Sequence, residues 1–245
     1  MFNSFWNKKK ILITGNTGFK GSWLSIWLLM LGADVYGYSL KPNCDQKLFN
    51  NIFIDNNDIK HFSGNFVHKT GDIRNLSSLK EYINDVQPEL VFHLAAEAFV
   101  RKSYQDPLKT WETNVIGSIN LLESLKNLKN ICSAVLITTD KVYKNEEWIY
   151  GYRENDILGG HDPYSSSKAA AEIAIESWRS SFFNPKVNEQ NSNFFAFSSA
   201  RAGNVIGGGD WAKNRIVPDI VNALFEGKEI MGEFTLVIKG KSKIE

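Results

Sequence analysis

Short runs of β-branched, aliphatic and aromatic residues recur along the chain, separated by longer stretches with helical periodicity. Such runs are typical of strands in a parallel sheet covered on both faces. Six runs are predicted as strands: Ile11–Thr14, Asp34–Ser39, Asn65–Lys69, Leu90–Leu94, Ala134–Thr138 and Phe194–Arg201. Helices are predicted at Ser22–Gly32, Asn75–Val86, Leu108–Leu128, Tyr164–Ile175 and Arg215–Glu226. This alternation predicts an α/β fold with a Rossmann-type, doubly wound parallel sheet.

A glycine-rich turn joins the first predicted strand to the first predicted helix, with the sequence Gly15-Asn16-Thr17-Gly18-Phe19-Lys20-Gly21. Gly15 permits the tight turn, Gly18 lets the backbone approach a pyrophosphate, and Gly21 allows close packing of helix on strand. The helix N-terminus then faces the anion. The pattern predicts a dinucleotide-binding turn, and a purely structural turn is the alternative.

Polar and small residues follow the other predicted strands, at the sheet edge where α/β proteins bind ligands. Ser39, with Lys41 close behind, stands where NAD-binding proteins carry an acidic residue, which leaves NAD versus NADP open. Asp72 is a candidate acceptor for an adenine amino group, or a cap of the next helix, or both. His93 lies between apolar residues and is predicted as a core histidine rather than a catalytic one.

Tyr164 and Lys168 are spaced four residues apart in a predicted helix, so they lie on one face, one turn from each other. An ammonium beside a phenol favours the phenolate and lowers the pKa of the tyrosine from about 10. Tyr164 is therefore a candidate general base for an alcohol, with Lys168 as the group that tunes it. The alternative is a surface helix on which neither residue has a chemical role.

The composition limits the possible partners. The 245 residues carry 28 Lys and Arg against 27 Asp and Glu, which gives no reason to expect a nucleic acid or an anionic membrane as partner. Cys44 and Cys132 have no metal-ligand spacing, so no metal site is expected. The apolar segment Trp23–Leu31 is too short to span a bilayer, and the start of the chain lacks a signal peptide. We therefore expect a cytoplasmic protein in a reducing compartment.

Several motifs taken together resemble the extended short-chain dehydrogenase/reductase family: Thr14-Gly15-x-x-Gly18-Phe19-x-Gly21, His93-Leu94-Ala95-Ala96, Thr138-Thr139-Asp140 and Tyr164-x-x-x-Lys168. Further stretches closely resemble the CDP-glucose 4,6-dehydratase group of that family: Gly18-Phe19-Lys20-Gly21-Ser22-Trp23-Leu24, Asp140-Lys141-Val142-Tyr143, Ser181-Phe182-Phe183-Asn184-Pro185 and Arg201-Ala202-Gly203-Asn204-Val205-Ile206-Gly207-Gly208-Gly209-Asp210-Trp211-Ala212. The similarity covers residues 8 to 230. Glu97 and His161 depart from the group, which usually has Gln and Tyr there.

The resemblance implies an intramolecular redox cycle. Tyr164 would take the proton of the sugar 4-hydroxyl while C4 passes hydride to NAD. Water would then leave across C5 and C6, and the hydride would return to C6, giving CDP-4-dehydro-6-deoxyglucose. Asp140 would be the acid for the departing hydroxyl, and Lys141 would be the base at C5, a role that requires its neutral form.

The resemblance also implies binding roles. Thr139 would hydrogen-bond the sugar 4-oxygen, Asn204 would contact the diphosphate of the nucleotide sugar, and Arg215 would lie near the nucleotide. The residues expected to hold NAD are Gly15, Thr17, Gly18, Phe19, Gly21, Ser39, Asp72, Ile73, Leu94, Ala95, Ala96, Thr113, Tyr164 and Lys168. Family members usually pair through the helices that correspond to Leu108–Leu128 and Ser165–Phe183, so a homodimer is expected.

The expected domain organisation follows the same resemblance. Residues 8–230 are expected to form the NAD-binding domain, with a substrate loop at 203–230, and residues 231–245 only the start of a small C-terminal substrate domain. Family members continue well past this length, so we expect a C-terminally incomplete copy. Alternative functions are another nucleotide-sugar dehydratase or epimerase (dTDP-, UDP- or GDP-hexose), and an inactive NAD-binding remnant.

Overall fold

The computed structural model describes residues 4–43, 46–55, 61–126, 128, 130, 132–183, 195–212 and 215–227. Its strands are β1 (Lys10–Thr14), β2 (Asp34–Ser39), β3 (Phe66–Thr70), β4 (Leu90–His93), β5 (Cys132–Ile137) and β6 (Phe195–Ala200). Its α-helices are α1 (Phe19–Met30), α2 (Lys47–Phe49), α3 (Leu76–Val86), α4 (Val100–Gln105), α5 (Pro107–Trp111), α6 (Gly117–Leu125), α7 (Pro163–Phe182) and α8 (Ile216–Phe225).

All six described strands are parallel, in the order β3-β2-β1-β4-β5-β6. The chain crosses over beside β1, so the sheet has its topological switch point between β1 and β4. Thr14, the last residue of β1, stands opposite Tyr38 on one side and His93 on the other. The carboxyl ends of the central strands therefore meet at one edge, and the Rossmann-type fold predicted from the sequence is confirmed.

Two apolar clusters cover the two faces of the sheet. The larger packs Leu79, Leu121 and Leu122 of α3 and α6 against β1, β4 and β5. The smaller packs Leu28 and Leu29 of α1, with neighbours from α2, against the other face. Because both faces are buried, the strands are apolar along most of their length, and this is why the sequence showed them clearly.

The long helix predicted at Leu108–Leu128 is divided. It begins as α5, where Pro107 occupies the first turn and the Asp106 side chain caps the amide of Lys109. A π-helical turn, Glu112–Ile116, separates α5 from α6. That turn contains the buried Asn114, whose side chain bonds to neighbouring segments. The helix α4, which precedes this region, was not predicted.

Some sequence-based expectations fall outside the described residues. The predicted start of a substrate domain at 231–245 is one of them, and Cys44 and Pro185 are others. Cys132 is fully buried in β5, where burial raises the pKa of its thiol to about 12. In the part of the chain that the structure describes, no helix is long and apolar enough to cross a membrane. The same part contains no cluster of three or more side chains suited to a metal ion.

Candidate active site

The glycine turn after β1 has a geometry that only glycine permits. Gly15 has φ +75°, and a Cβ there would lie 2.7 Å from the amide nitrogen of Ala95. A Cβ on Gly21 would lie 2.2 Å from the carbonyl oxygen of Gly15. Gly18 caps α1 in extended conformation, so the first amides of that helix face outward without a side-chain cap. The turn thus fits a dinucleotide pyrophosphate, which approaches the backbone at a helix N-terminus.

Thr17, inside this turn, contacts Ser39 at the end of β2. The Ser39 hydroxyl is 3.0 Å from both the Asn16 side-chain oxygen and the Thr17 hydroxyl. Asn16 is fully buried, and its amide group lies 3.2 Å from Nδ1 of His68 on β3. Asn16 was not singled out from the sequence, although a polar residue inside a glycine turn was the available signal. This network fixes the turn to the ends of β2 and β3.

Asp72 does not cap the following helix, which corrects one of the two sequence interpretations. The cap of α3 is Asn75, whose side chain accepts from the Ser78 amide. The Asp72 carboxylate instead binds the Arg74 guanidinium at 2.7 Å, and this pairing holds the pKa of Asp72 below its usual range. Asp72 is half-buried and its neighbour Ile73 is buried.

The segment after β4 is fastened to α7 by Asn114. The Asn114 side chain accepts from the Glu97 amide at 2.9 Å and donates to the Glu97 carbonyl at 3.1 Å and the Ser167 hydroxyl at 2.9 Å. Leu94 and Ala95, in the same segment, pass close to Gly15. Thr113 is half-buried on the same π-helical turn. Sequence reasoning missed Asn114 because its partners lie far away in the chain.

His93, at the end of β4, is a core histidine, as predicted. Its two ring nitrogens lie 2.6 Å from the Thr14 hydroxyl and 3.1 Å from the Ser118 hydroxyl. Burial lowers its pKa to about 3, so the ring is neutral near neutral pH.

Tyr164 and Lys168 lie on one face of α7, and both are buried. The helix starts at this point because Asp162 and Ser165 form a capping box around Pro163. Lys168 donates to the Ile137 carbonyl at 3.1 Å, and burial lowers its pKa to about 8.

The pKa of Tyr164 is raised, so the lowering by Lys168 expected from the sequence is wrong. Burial is the main cause, and a hydrogen bond with Thr139 opposes it only in part. Asp140 and Asp162 raise the pKa further because a phenolate would meet their negative charge.

Thr139, Asp140 and Lys141 follow β5 after one residue, and the last two begin a short 3₁₀ turn. The Thr139 hydroxyl lies 3.1 Å from an Asp140 carboxylate oxygen and caps the turn through the Lys141 amide. The Asp140 amide donates to the Ala202 carbonyl at 3.1 Å, which joins this turn to the glycine-rich loop after β6.

A polar pocket opens at this edge of the sheet. Its lining includes six of the predicted site residues, which come from five segments of the chain: Phe19, Thr139, Lys141, Tyr164, Asn204 and Arg215. The lining also includes residues to which the sequence analysis gave no role: Lys20, Ala98, Val100, Thr138, Ala202, Gly203 and Val205. Phe19 and Lys20 are the part of the glycine turn in this lining, and Ala98 comes from the segment after β4. Gly15, Gly18 and the segment Leu94–Ala96 lie outside the lining.

The glycine-rich loop after β6 closes one side of the pocket. The Trp23 indole on α1 donates to the Gly208 carbonyl at 2.9 Å, and a Cβ on Gly207 would lie 3.1 Å from the Phe19 ring. Arg215 begins α8, where its guanidinium lies 3.3 Å from the Asp210 carboxylate. These contacts bring Asn204 and Arg215 to the same edge as Tyr164.

A buried carboxylate lies behind the pocket. Glu172, one turn after Lys168 on α7, is 5% exposed. It accepts hydrogen bonds from Thr138 and from Ser199 at 2.8 Å, and it pairs with Arg201 at 3.0 Å. Arg201 also lies 4.9 Å from the centre of the Tyr143 ring. Sequence reasoning missed Glu172 because nothing local marks a buried carboxylate in an alanine-rich helix.

The fold and the site define a class: a Rossmann-type nucleotide-binding protein with a Tyr-x-x-x-Lys helix at the carboxyl edge of its sheet. The chain belongs to the GDP-mannose 4,6 dehydratase family, whose family model matches residues 12–228. The resemblance to the dehydratase branch of the extended short-chain dehydrogenase/reductase family is thereby confirmed.

Individual relatives agree with this assignment. The chain is 46% identical over 228 residues to the CDP-glucose 4,6-dehydratase of Salmonella typhimurium, covering 93% of this chain and 61% of that relative. It is 33% identical over 182 residues to the CDP-paratose 2-epimerase of Salmonella typhi, covering 66% of this chain and 51% of that one. The chain thus spans only about half to three fifths of the length of these relatives.

Solved structures support the fold. A dTDP-glucose 4,6-dehydratase from Bacillus anthracis in complex with NAD matches with a TM-score of 0.68 and 24% identity, over 91% of this chain and 63% of that one. A UDP-N-acetylglucosamine 4-epimerase from Methanobrevibacter ruminantium matches with a TM-score of 0.70 and 22% identity, over 91% and 64%. At these identities the likeness shows the fold alone.

Proposed function

We propose that this chain carries the catalytic and coenzyme-binding residues of an NAD-dependent CDP-glucose 4,6-dehydratase. The observation that carries the proposal is one pocket, next to the glycine turn. Its lining includes Tyr164, Thr139, Lys141, Asn204 and Arg215. The choice of CDP-glucose is supported by the 46% identity with a CDP-glucose enzyme. The pair Asp140-Lys141, which resembles that group, supports it further.

NAD fits the residues present. The glycine turn would take its pyrophosphate, and the segment Leu94–Ala96 after β4 would flank it. When bound, NAD supplies the acceptor and later the donor of a hydride. Ser39 contacts the turn through Thr17, and Asp72 remains the candidate for the adenine contact. We assign no contact to Thr113 beyond its place beside Asn114.

Tyr164 would accept the proton of the sugar 4-hydroxyl. Its raised pKa means that the phenol keeps its proton in the ligand-free chain. Positive charge near the phenol stabilises the phenolate. Arg215 lowers the pKa of Tyr164, and Lys168 is a second candidate source because it lies one turn away on the same face. Thr139 already bonds Tyr164, so its hydroxyl would also reach the sugar 4-oxygen.

Loss of water across C5 and C6 needs an acid at the 6-oxygen and a base at C5. Asp140 lies at the pocket edge, where a Cβ on Gly203 would be 3.5 Å from its carboxylate, and it would protonate the leaving hydroxyl. The neutral amine of Lys141, which lines the pocket, would take the C5 proton. The proton from Asp140 leaves in water, and Lys141 returns its proton to C5 when the hydride returns to C6. Tyr164 keeps the proton of the 4-hydroxyl, which balances the one that Asp140 gave, so water is the only group that leaves.

The test is to incubate the protein with CDP-glucose and NAD and to look for the alkali-induced chromophore of a 4-keto sugar. We expect the chromophore with CDP-glucose and none with the Tyr164→Phe variant, which keeps the ring but lacks the base. Parallel reactions with dTDP-glucose, UDP-glucose and GDP-mannose test the substrate. Turnover of one of these instead of CDP-glucose would refute the substrate assignment. Coenzyme binding without turnover of any would favour a binding remnant.

We also propose that the protein is a cytoplasmic homodimer. Exposed apolar side chains on α4, α5 and α7 support pairing: Tyr104 is 65% exposed, Leu108 71% and Ile173 61%. Leu108→Glu should shift the mass measured by light scattering from dimer to monomer. A wild-type protein that is monomeric at high concentration would contradict the proposal.

A further inference from the structure

We infer that Lys20 is a binding residue for the diphosphate of the nucleotide sugar, an inference that rests on the proposed function. Lys20 occupies the second position of α1, in the last part of the glycine turn that fits the coenzyme. Its side chain lines the pocket together with Tyr164, Asn204 and Arg215, whereas Gly15 and Gly18 do not line it. Lys20 therefore faces the substrate side of the turn.

The basic side chains that line the pocket are those of Lys20, Lys141 and Arg215, and no carboxylate belongs to its described lining. Arg215 has a neighbour of opposite charge in Asp210. Lys20 makes no ion pair or hydrogen bond with any residue that the structure describes. A diphosphate carries the charge and the acceptor oxygens that such a cluster needs.

The electrostatics of Lys20 agree with this assignment. Although the side chain as a whole is exposed, desolvation of its ammonium lowers the pKa of Lys20, and the nearby Arg215 lowers it further. Lys20 in turn lowers the pKa of Lys168. Lys20 has no counter-ion among the described residues, so its repulsion with Arg215 and Lys168 destabilises the protein and is relieved by a bound anion. Binding of the diphosphate would thus also let Lys168 keep its proton beside Tyr164.

The experiment measures dissociation constants by calorimetry for Lys20→Met, Lys20→Arg and the control Lys80→Met, whose lysine lies on α3 outside the pocket. The ligands are CDP-glucose, CDP, CMP and NADH. Lys20→Met should lower the affinity for CDP and CDP-glucose about tenfold or more, because a charge-assisted hydrogen bond is lost. The affinity for CMP should fall less, and the affinity for NADH by less than about twofold. Lys20→Arg should keep most of the affinity for CDP and CDP-glucose.

The melting temperature and the pattern of affected ligands separate the inference from its alternatives. Lys20→Met should leave the melting temperature unchanged or raise it, because like-charge repulsion is removed; a merely structural lysine would lower it. If Lys20→Met lowered the affinity for NADH but not for CDP, the lysine would belong to the coenzyme site and the inference would be overturned. Unchanged affinity for both ligands would also overturn it. If wild type binds dTDP, UDP or GDP but not CDP, and Lys20→Met weakens that ligand, the substrate assignment fails while Lys20 keeps its role. Wild type that binds no nucleoside diphosphate would overturn the inference.

Discussion

The ammonium of Lys168 donates a hydrogen bond to the main-chain carbonyl of Ile137 over 3.1 Å. Ile137 ends β5, so this hydrogen bond joins the sheet to the lysine that is expected to stabilise the Tyr164 phenolate. Burial lowers the pKa of Lys168 from 10.5 to about 8. Burial of a cation destabilises the folded protein. A lysine that is kept for its role in the site can therefore lower the stability of the protein.

Lys168→Met should therefore stabilise the ligand-free protein near neutral pH. Between about pH 8 and 10.5 the unfolded chain holds a proton that the folded chain has released, so stability rises with pH across this interval. The penalty is fully present below pH 8 and amounts to roughly 3 kcal/mol. Loss of the bond to Ile137 offsets about 1 kcal/mol of the gain.

Urea unfolding of Lys168→Met at about pH 7 and about pH 10 checks this prediction. The gain over wild type should be about 2 kcal/mol at the lower pH and should shrink or reverse at the higher pH. Lys80→Met, which removes a lysine outside the pocket, should change little at either pH. A variant that is less stable than wild type by the same amount at both pH values would show that the buried charge of Lys168 does not destabilise the folded protein.

Gly21→Ala should abolish coenzyme binding. The new Cβ would lie 2.2 Å from the Gly15 carbonyl oxygen, a main-chain atom that cannot move without deforming the turn. Overpacking of this kind costs about 1–3 kcal/mol in stability. NADH fluorescence titration measures the binding, and thermal unfolding measures the stability.

The matched control is Gly151→Ala, because a Cβ there would have no atom within 4 Å. It should leave NADH affinity unchanged and stability within about 0.5 kcal/mol of wild type. Equal effects of the two alanines would mean that the glycine turn does not hold the coenzyme.

The difference between what the sequence predicted and what it missed follows from the range of the interactions. The strands and the turn at Gly15 are encoded locally, by apolar runs and by a backbone shape that needs glycine. Asn114 and Glu172 bond to residues that are distant in the chain, so no local pattern marks them. The pKa of Tyr164 was predicted in the wrong direction because the helical spacing showed the neighbour but not the burial.

Asp140→Asn should block dehydration while it spares oxidation at C4. The amide keeps the size of the carboxylate and can still accept from Thr139, which lies 3.1 Å away, but it cannot protonate the departing hydroxyl. Loss of a general acid lowers the rate by about 10²–10⁴-fold. With CDP-glucose the variant should accumulate reduced coenzyme, seen by its near-ultraviolet absorbance, and form little keto sugar that lacks the 6-hydroxyl.

The control for this variant is Tyr164→Phe, which should lose the absorbance change as well as the product. If Asp140→Asn lost oxidation to the same degree as dehydration, Asp140 would act before the elimination step, and the role proposed for it would be refuted.

Glu172→Gln should destabilise the protein by about 3 kcal/mol, because it leaves the Arg201 charge without its partner. The side chains of Glu172 and Arg201 are 4% and 17% exposed, so water replaces little of the lost interaction. Arg201, Thr138 and Ser199 hold the pKa of Glu172 below its usual value, against the effect of burial. The contribution is therefore present above about pH 4.5 and is lost as the pH falls through the lower, folded-state pKa.

The matched control is Glu176→Gln, one turn further along α7, where an exposed carboxylate pairs with Arg179. An exposed pair contributes about 0–1 kcal/mol, so this variant should unfold close to wild type in urea. The negative charge of Glu172 also raises the pKa of Lys168, so Glu172→Gln should lower the pKa of that lysine further. Equal stability of the two glutamine variants at neutral pH would show that the buried Glu172–Arg201 pair does not stabilise the protein.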